Sequence, residues 1–291
     1  MRLKEIIFIG VGGGRGAVIR QPKDFGTGGF RINGDLNIYV DPGPGAAAHS
    51  ARLGHSIEDV DVLIISHNHL DHMGDAEVFA EAMNGFGFEK KGMLIASDAC
   101  INGSKRDKCD KVMDSYHMGL FKDVLIGRPG EKMKIEKDGK SFSIEFTPVN
   151  HEDETGFGFV IRSENAAIGY TSDTEYIKGM EKPFMGVDVL IMNAIKERLD
   201  EIGRNGKPYR GHLAFYPDAE RLISRIKPDI SILTHIGYKL ALDGRLEELR
   251  YDLNAKTGEQ VMIPRQGYRI NLSNPLMFPK KFKLLKKGKS Q

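Results

Sequence analysis

Three imidazoles and a carboxylate fall within six residues at His67-Asn68-His69-Leu70-Asp71-His72, directly after Asp61-Val62-Leu63-Ile64-Ile65-Ser66. A run of Val, Leu and Ile bounded by polar residues predicts a strand covered on both faces. A sharp turn after it would aim several of these side chains into one pocket. Neutral imidazole and carboxylate are ligands for first-row divalent ions, and the donor types suit Zn²⁺ as well as Mn²⁺ or Fe²⁺. The competing explanation is a polar loop that happens to be rich in histidine. Against it, six of the nine histidines fall into motifs of one pattern.

Single polar residues elsewhere stand at comparable places. Asp41 follows Asn37-Ile38-Tyr39-Val40, His151 follows Phe146-Thr147-Pro148-Val149-Asn150, Asp173 follows Ile168-Gly169-Tyr170-Thr171-Ser172, and His235 follows Ser231-Ile232-Leu233-Thr234. Strand ends that share one edge of a sheet form a pocket rim. Each residue alone has an ordinary explanation: Asp41 in a turn, Asp173 as a helix cap, His151 and His235 as loop histidines. Their order and spacing together point to one site.

The elements that would position these side chains alternate along the chain. Strands are expected at 4–9, 36–40, 62–66 and 93–97, with helices over 45–53 and 75–83. Residues 99–130 read as loops with one short helix. A second series has strands at 132–136, 141–149, 158–162, 166–170, 187–192 and 230–233, with turn signals at Asp138-Gly139 and Glu164-Asn165. Helices are expected at 217–226 and 246–254. Two strand-rich halves, each flanked by helices, predict an α/β protein with two sheets face to face and helices outside.

Composition fits a soluble enzyme: 291 residues, with 42 Lys and Arg against 40 Asp and Glu. There is no apolar run of ~18 residues and no secretory pattern at the amino end, so no membrane span and a cytoplasmic location are expected. Cys100 and Cys109 are too few for a disulfide framework and are not spaced as in a zinc finger.

In its ordered set (a strand-terminal Asp, His-x-His-x-Asp-His, a single His, a strand-terminal Asp and a late Thr-His) the chain resembles the metallo-β-lactamase superfamily of metal-dependent hydrolases, from residue 1 to about residue 240. The resemblance implies a four-layer αββα sandwich, with the metal site at the edge where the two sheets meet. It implies two divalent ions, with zinc the first expectation: His67, His69 and His151 would hold one, Asp71, His72 and His235 the other, and Asp173 would bridge them. β-Lactamases of the commonest class carry Cys where Tyr170-Thr171-Ser172-Asp173-Thr174 keeps Asp. The stretch from His151 through Glu152-Asp153-Glu154-Thr155-Gly156 to Phe157 is similar to the ribonuclease Z and PhnP-type phosphodiesterase branch. So is Gly211-His212-Leu213 followed by an amphipathic stretch and Leu233-Thr234-His235. In that branch the extra His, here His212, lies beside the metals without binding them.

The expected chemistry is phosphodiester hydrolysis. Two divalent ions ~3.5–4 Å apart lower the pKa of a bridging water, the nucleophile, and brace the attacking and leaving oxygens. Asp71 or Asp173 would orient the hydroxide, and His212 would protonate the leaving oxygen. Asp41 would stand behind the ligands, accepting an imidazole N–H. Alternatives are a glyoxalase II-like thioester or lactone hydrolase, an RNA-processing nuclease, and a nucleic-acid-binding module with a structural metal. The last is disfavoured, since structural zinc sites are usually closed by four protein ligands, commonly including Cys.

The glycine run from Gly10 to Gly16 matches a loose dinucleotide fingerprint, but Val18-Ile19-Arg20-Gln21-Pro22 does not read as the helix that such a site requires. It is expected to form a flexible rim loop, where Arg15 or Arg20 could hold a substrate phosphate. Only 21 residues separate His151 from Asp173, too few for the long arm with which many ribonuclease Z enzymes grip tRNA. The expected substrate is a small phosphodiester or a short nucleic acid, and a homodimer is left open. Residues 1–278 read as the hydrolase domain and 279–291 as a basic tail, with six lysines and no acid. A solubility role for the tail competes with RNA or membrane-phosphate binding.

Overall fold

A computed structural model describes residues 1–105, 108–202, 206 and 210–274. The lysine-rich segment 279–291 lies outside the described residues. Two sheets are stacked with helices on their outer faces, the αββα sandwich that the resemblance implies.

The first sheet runs, in spatial order, Arg269–Asn271, Leu3–Phe8, Phe30–Gly34, Ile38–Val40, Val62–Ile65, Met93–Ala96 and Asp123–Ile126. Its first pairings are antiparallel, and from Ile38–Val40 onward they are parallel. Parallel strands are buried on both faces, and Val62–Ile65 is buried at every position. Side chains of a strand point alternately to its two faces. Val62 and Ile64 accordingly join the core between the sheets, while Leu63 and Ile65 join an outer core with Phe79, Ala80 and Met83 of the helix Ala76–Met83.

The second sheet runs Val261–Met262, Ile230–Thr234, Val189–Arg198, Ala167–Tyr170, Phe157–Arg162, Lys140–Pro148 and Lys132–Lys137, and Leu213–Tyr216 pairs with the far end of Val189–Arg198. Its outer face is covered by the helix Asp218–Ile226, which buries Ala219, Leu222, Ile223 and Ile226, and by the helix Leu246–Thr257. The spacing of those four residues gives one helix face.

Several elements depart from expectation. Asp123–Ile126, within the stretch read as loops, completes the first sheet, and two short helices flank the loop before it, Asp98–Asn102 and Ser115–Leu120. The strand expected at 187–192 extends to Arg198 because Leu213–Tyr216 gives it a further partner. The glycine run is also different: Gly12–Gly13 pairs in parallel with Ile236–Gly237, and Gly14–Arg20 is a helix. Among the described residues no side chain caps its start. Tertiary contacts supply what propensity does not, with Ala17 buried and Gly16 lying against Tyr238.

Candidate metal centre

Every expected ligand lies at the exit of a strand or, for Asp71 and His72, in the short helix Leu70–Met73 just after one, and the two sheets bring these exits together. His67, His69, Asp71 and His72 follow Val62–Ile65; His151 follows Lys140–Pro148, Asp173 follows Ala167–Tyr170, and His235 follows Ile230–Thr234. Three residues at these exits, Asp41, Ser172 and His235, have left-handed backbone with φ of 53°, 55° and 59°. Such strain at non-glycine residues is held only where surrounding contacts over-determine it.

The donor atoms form two groups of four. One is His67, His69, His151 and Asp173; the other is Asp71, His72, Asp173 and His235; within each group the atoms lie within 4.8 Å of one another. Asp173 belongs to both. Its Oδ2 lies 3.7 Å from His67 Nε2, 3.9 Å from His151 Nε2, 3.3 Å from His72 Nε2 and 3.2 Å from His235 Nε2. His151 Nε2 faces His69 Nδ1 at 2.9 Å, and His235 Nε2 faces Asp71 Oδ2 at 2.9 Å.

The surrounding hydrogen bonds decide which ring atoms face inward. His72 Nδ1 donates to Asp41 Oδ2 at 2.9 Å, His67 Nδ1 lies 3.1 Å from Ser66 Oγ, and His151 Nδ1 donates to the Gly211 carbonyl at 2.7 Å. Neutral rings held this way turn lone pairs on Nε2 toward Asp173. His67 Nε2 is buried and has no hydrogen-bond partner among the described residues. A buried acceptor without a partner costs free energy, and here acceptors converge on a carboxylate oxygen. A divalent cation would satisfy them, so the donor set fits metal held by nitrogen and oxygen donors.

Asp41 takes the place expected of it behind the ligands. Besides His72 it accepts the Ser66 N–H at 2.7 Å, the Ser66 hydroxyl at 2.8 Å and the Tyr170 hydroxyl at 2.7 Å. Asn193 was not foreseen. Its amide donates to Asp173 Oδ1 at 2.7 Å and to Tyr170 Oη at 2.9 Å, which turns Asp173 Oδ2 into the cluster. The one sequence signal was a polar residue inside the apolar run Val189-Leu190-Ile191-Met192-Asn193-Ala194-Ile195.

Burial, reinforced by neighbouring imidazoles, lowers the pKa values of His67 and His69 and pushes His151 down to about 4. These rings stay in the neutral form that a ligand needs. Burial also disfavours the charged form of His72, but the carboxylates of Asp173, Asp71 and Asp41 outweigh it and raise that pKa well above the ordinary value. Asp71 and Asp173 are held ionised, since the surrounding histidines overcome burial.

His212 stands outside both donor groups yet touches their shared member. Its Nε2 is 3.0 Å from Asp173 Oδ2, its Nδ1 donates to the Arg210 carbonyl at 3.0 Å, and its side chain is 13% exposed. Burial opposes its protonation, but Asp173 raises its pKa overall. The glycine run also reaches the site. The Gly14 N–H donates to Asp71 Oδ2 at 2.6 Å, so the first amide of the short helix binds a protein carboxylate. A Cβ on Gly13 would lie 2.2 Å from the His235 ring. Of the two arginines considered for phosphate, Arg20 stacks over Tyr238 at 4.6 Å and Arg15 is exposed.

Residues 36–236 match the family described as the beta-lactamase superfamily domain. The chain belongs to that superfamily. An uncharacterized protein from Methanocaldococcus jannaschii is 35% identical over 273 residues, covering 93% of this chain and 96% of its own length. A UPF0173 metal-dependent hydrolase from Aeropyrum pernix is 23% identical, covering 75% of this chain and 84% of its own. Among solved structures, the metallo-beta-lactamase fold protein YhfI from Bacillus subtilis has a TM-score of 0.71 at 20% identity, over 92% of this chain and 99% of that one. A diphosphatase from the PhnP family has a TM-score of 0.65 at 16% identity, over 92% and 97%.

Proposed function

We propose that the protein is a metal-dependent hydrolase that holds two divalent ions and cleaves phosphodiesters. The observation that carries this reading is the pair of four-residue donor groups sharing Asp173, with the imidazole of His212 3.0 Å from the shared carboxylate and outside both groups. Two such ions, when bound, acidify a water and brace the oxygens of a phosphodiester.

The chain's own groups supply the rest. Asp71, held by the Gly14 N–H, is placed to orient the nucleophile. His212 has Nδ1 fixed on a carbonyl, which leaves Nε2 as the atom that passes a proton to the leaving oxygen. A free alkoxide needs that proton far more than a thiolate does, so a proton donor beside the ions favours phosphodiesters over thioesters. The likeness to a PhnP-family diphosphatase is one of fold, and it makes phosphoric esters the first class to test. Between His151 and Asp173 the chain forms the antiparallel pair Phe157–Arg162 and Ala167–Tyr170, and the little length left over favours a small substrate over structured RNA.

The test is a panel on metal-reconstituted protein: bis-p-nitrophenyl phosphate, cyclic nucleotides, RNA, a thioester and a lactone. The expected result is the highest kcat/KM on a small diester. A thioester or lactone turned over more efficiently would replace this reading.

A further inference from the structure

One carboxylate outside both donor groups ties together three segments that carry site residues. Glu175 lies two positions beyond Asp173, at the start of the loop leaving that strand exit. Its backbone N–H donates to the Asn150 carbonyl at 3.0 Å, its Oε2 accepts from Asn150 Nδ2 at 3.2 Å, and its Oε1 accepts the Gly211 N–H at 3.0 Å. Thr174 adds a fourth contact, its hydroxyl oxygen accepting the Asn150 N–H at 2.8 Å. Asn150 and Gly211 immediately precede His151 and His212.

The Gly211 loop in turn sets both histidines. The Gly211 carbonyl accepts from His151 Nδ1 and the Arg210 carbonyl from His212 Nδ1. Gly211 has φ of 76°, and a Cβ there would lie 2.7 Å from His151 Nδ1, so the loop sits against the ring with no room for a side chain.

We infer that Glu175 is a positioning residue: by binding Asn150 with one oxygen and Gly211 with the other, it fixes His151 and His212 relative to Asp173. Partners that orient a metal-bound histidine typically change metal affinity or activity about 10–100-fold when removed. Glu175 acts one step further out, through the peptide groups that hold the ring nitrogens. The metal-binding part of the inference needs only the donor groups; the kinetic part rests on the phosphodiesterase reading.

The test compares wild type, Glu175→Gln and Glu175→Ala in zinc titrations against a competing chelator. Glu175→Ala should weaken the ion of His67, His69 and His151 about 10-fold, the lower end of that range, and leave the other within about threefold. Glu175→Gln keeps an acceptor for the Gly211 N–H and should recover most of the loss. In a His69→Ala background, where only the ion of Asp71, His72 and His235 remains, Glu175→Ala should have no effect. Should Glu175→Ala fail to fold, Glu175→Gln and Asn150→Ala carry the test: Asn150→Ala removes only the Oε2 contact, so it should weaken the His151 ion while leaving the preference between alkyl and p-nitrophenyl diesters, set by His212 through Gly211, as in wild type. On substrates, Glu175→Ala should lower kcat more for an alkyl diester than for a p-nitrophenyl diester, because His212 is displaced. Wild-type affinity for both ions in Glu175→Ala, or equal weakening of both, overturns the inference. Selective metal loss without any diester turnover would uphold it and remove the phosphodiesterase reading instead.

Discussion

At the scale of single residues, the proposed function would separate ligation from proton transfer at His212. It contacts Asp173 but belongs to neither donor group. His212→Ala should therefore retain both ions while losing about 10²–10⁴ in rate, and the deficit should shrink on p-nitrophenyl esters, whose leaving group needs less protonation. Metal analysis beside kinetics on activated and unactivated diesters checks both parts. The two ions should also differ in their response to acid. Protons compete with metal for ligand nitrogens, so a raised imidazole pKa lets the proton win at higher pH and a lowered one lets the metal persist. His72 is raised, whereas His67, His69 and His151 are lowered, His151 to about 4. On acidification the ion of Asp71, His72 and His235 should leave first. Metal retained after dialysis across a pH series should fall in two steps; a single step would count against this order.

At the scale of elements, the donors were legible and their supports were not. His67 to His72, His151, Asp173 and His235 could be found because each is a metal-ligand type at the end of an apolar run. Asn193, Tyr170, Glu175 and Gly211 act through contacts between segments 20 to 60 residues apart, which no local pattern records. The helix Gly14–Arg20 was missed for a related reason. It has no capping side chain and is glycine-rich, and it exists because the strands Gly12–Gly13 and Ile236–Gly237 pair beside it. The two helix-covered sheets were readable because buried strands and amphipathic helices announce themselves by period; Asp123–Ile126, short and only partly buried, did not. The ribbon carries a prediction of its own. Gly13→Ala would drive a methyl group into the His235 ring, so it should weaken the ion of Asp71 and His72 while leaving the other close to wild type, as chelator competition would register.

At the scale of the whole molecule, the lysine tail raises the question of substrate size. The six lysines of 279–291 bring the formal net charge to +2; without them the chain carries −4. If the tail bound RNA, each phosphate contact would add a slope of about 0.7 to the salt dependence of the binding constant. Deleting 279–291 should remove any such dependence and leave small-diester turnover unchanged, since every proposed ligand precedes it. Salt-sensitive cleavage of structured RNA by the full chain alone would move the reading to RNA processing.

Each donor group takes two members from the first sheet and two from the second: His67 and His69 with His151 and Asp173, and Asp71 and His72 with Asp173 and His235. In folding terms, ions bound there would be cross-links between the two halves of the sandwich, and neither donor group can be complete until the sheets have docked. Metal affinity then adds directly to the free energy of docking, about 4 kcal/mol for one site at a free ion concentration a thousandfold above its Kd. Stripping the ions should lower the unfolding temperature, with the largest gain in hydrogen exchange at the strand exits and little change in the outer helices. An unfolded chain, lacking the sites, would compete poorly for metal, so the ions would select the docked form.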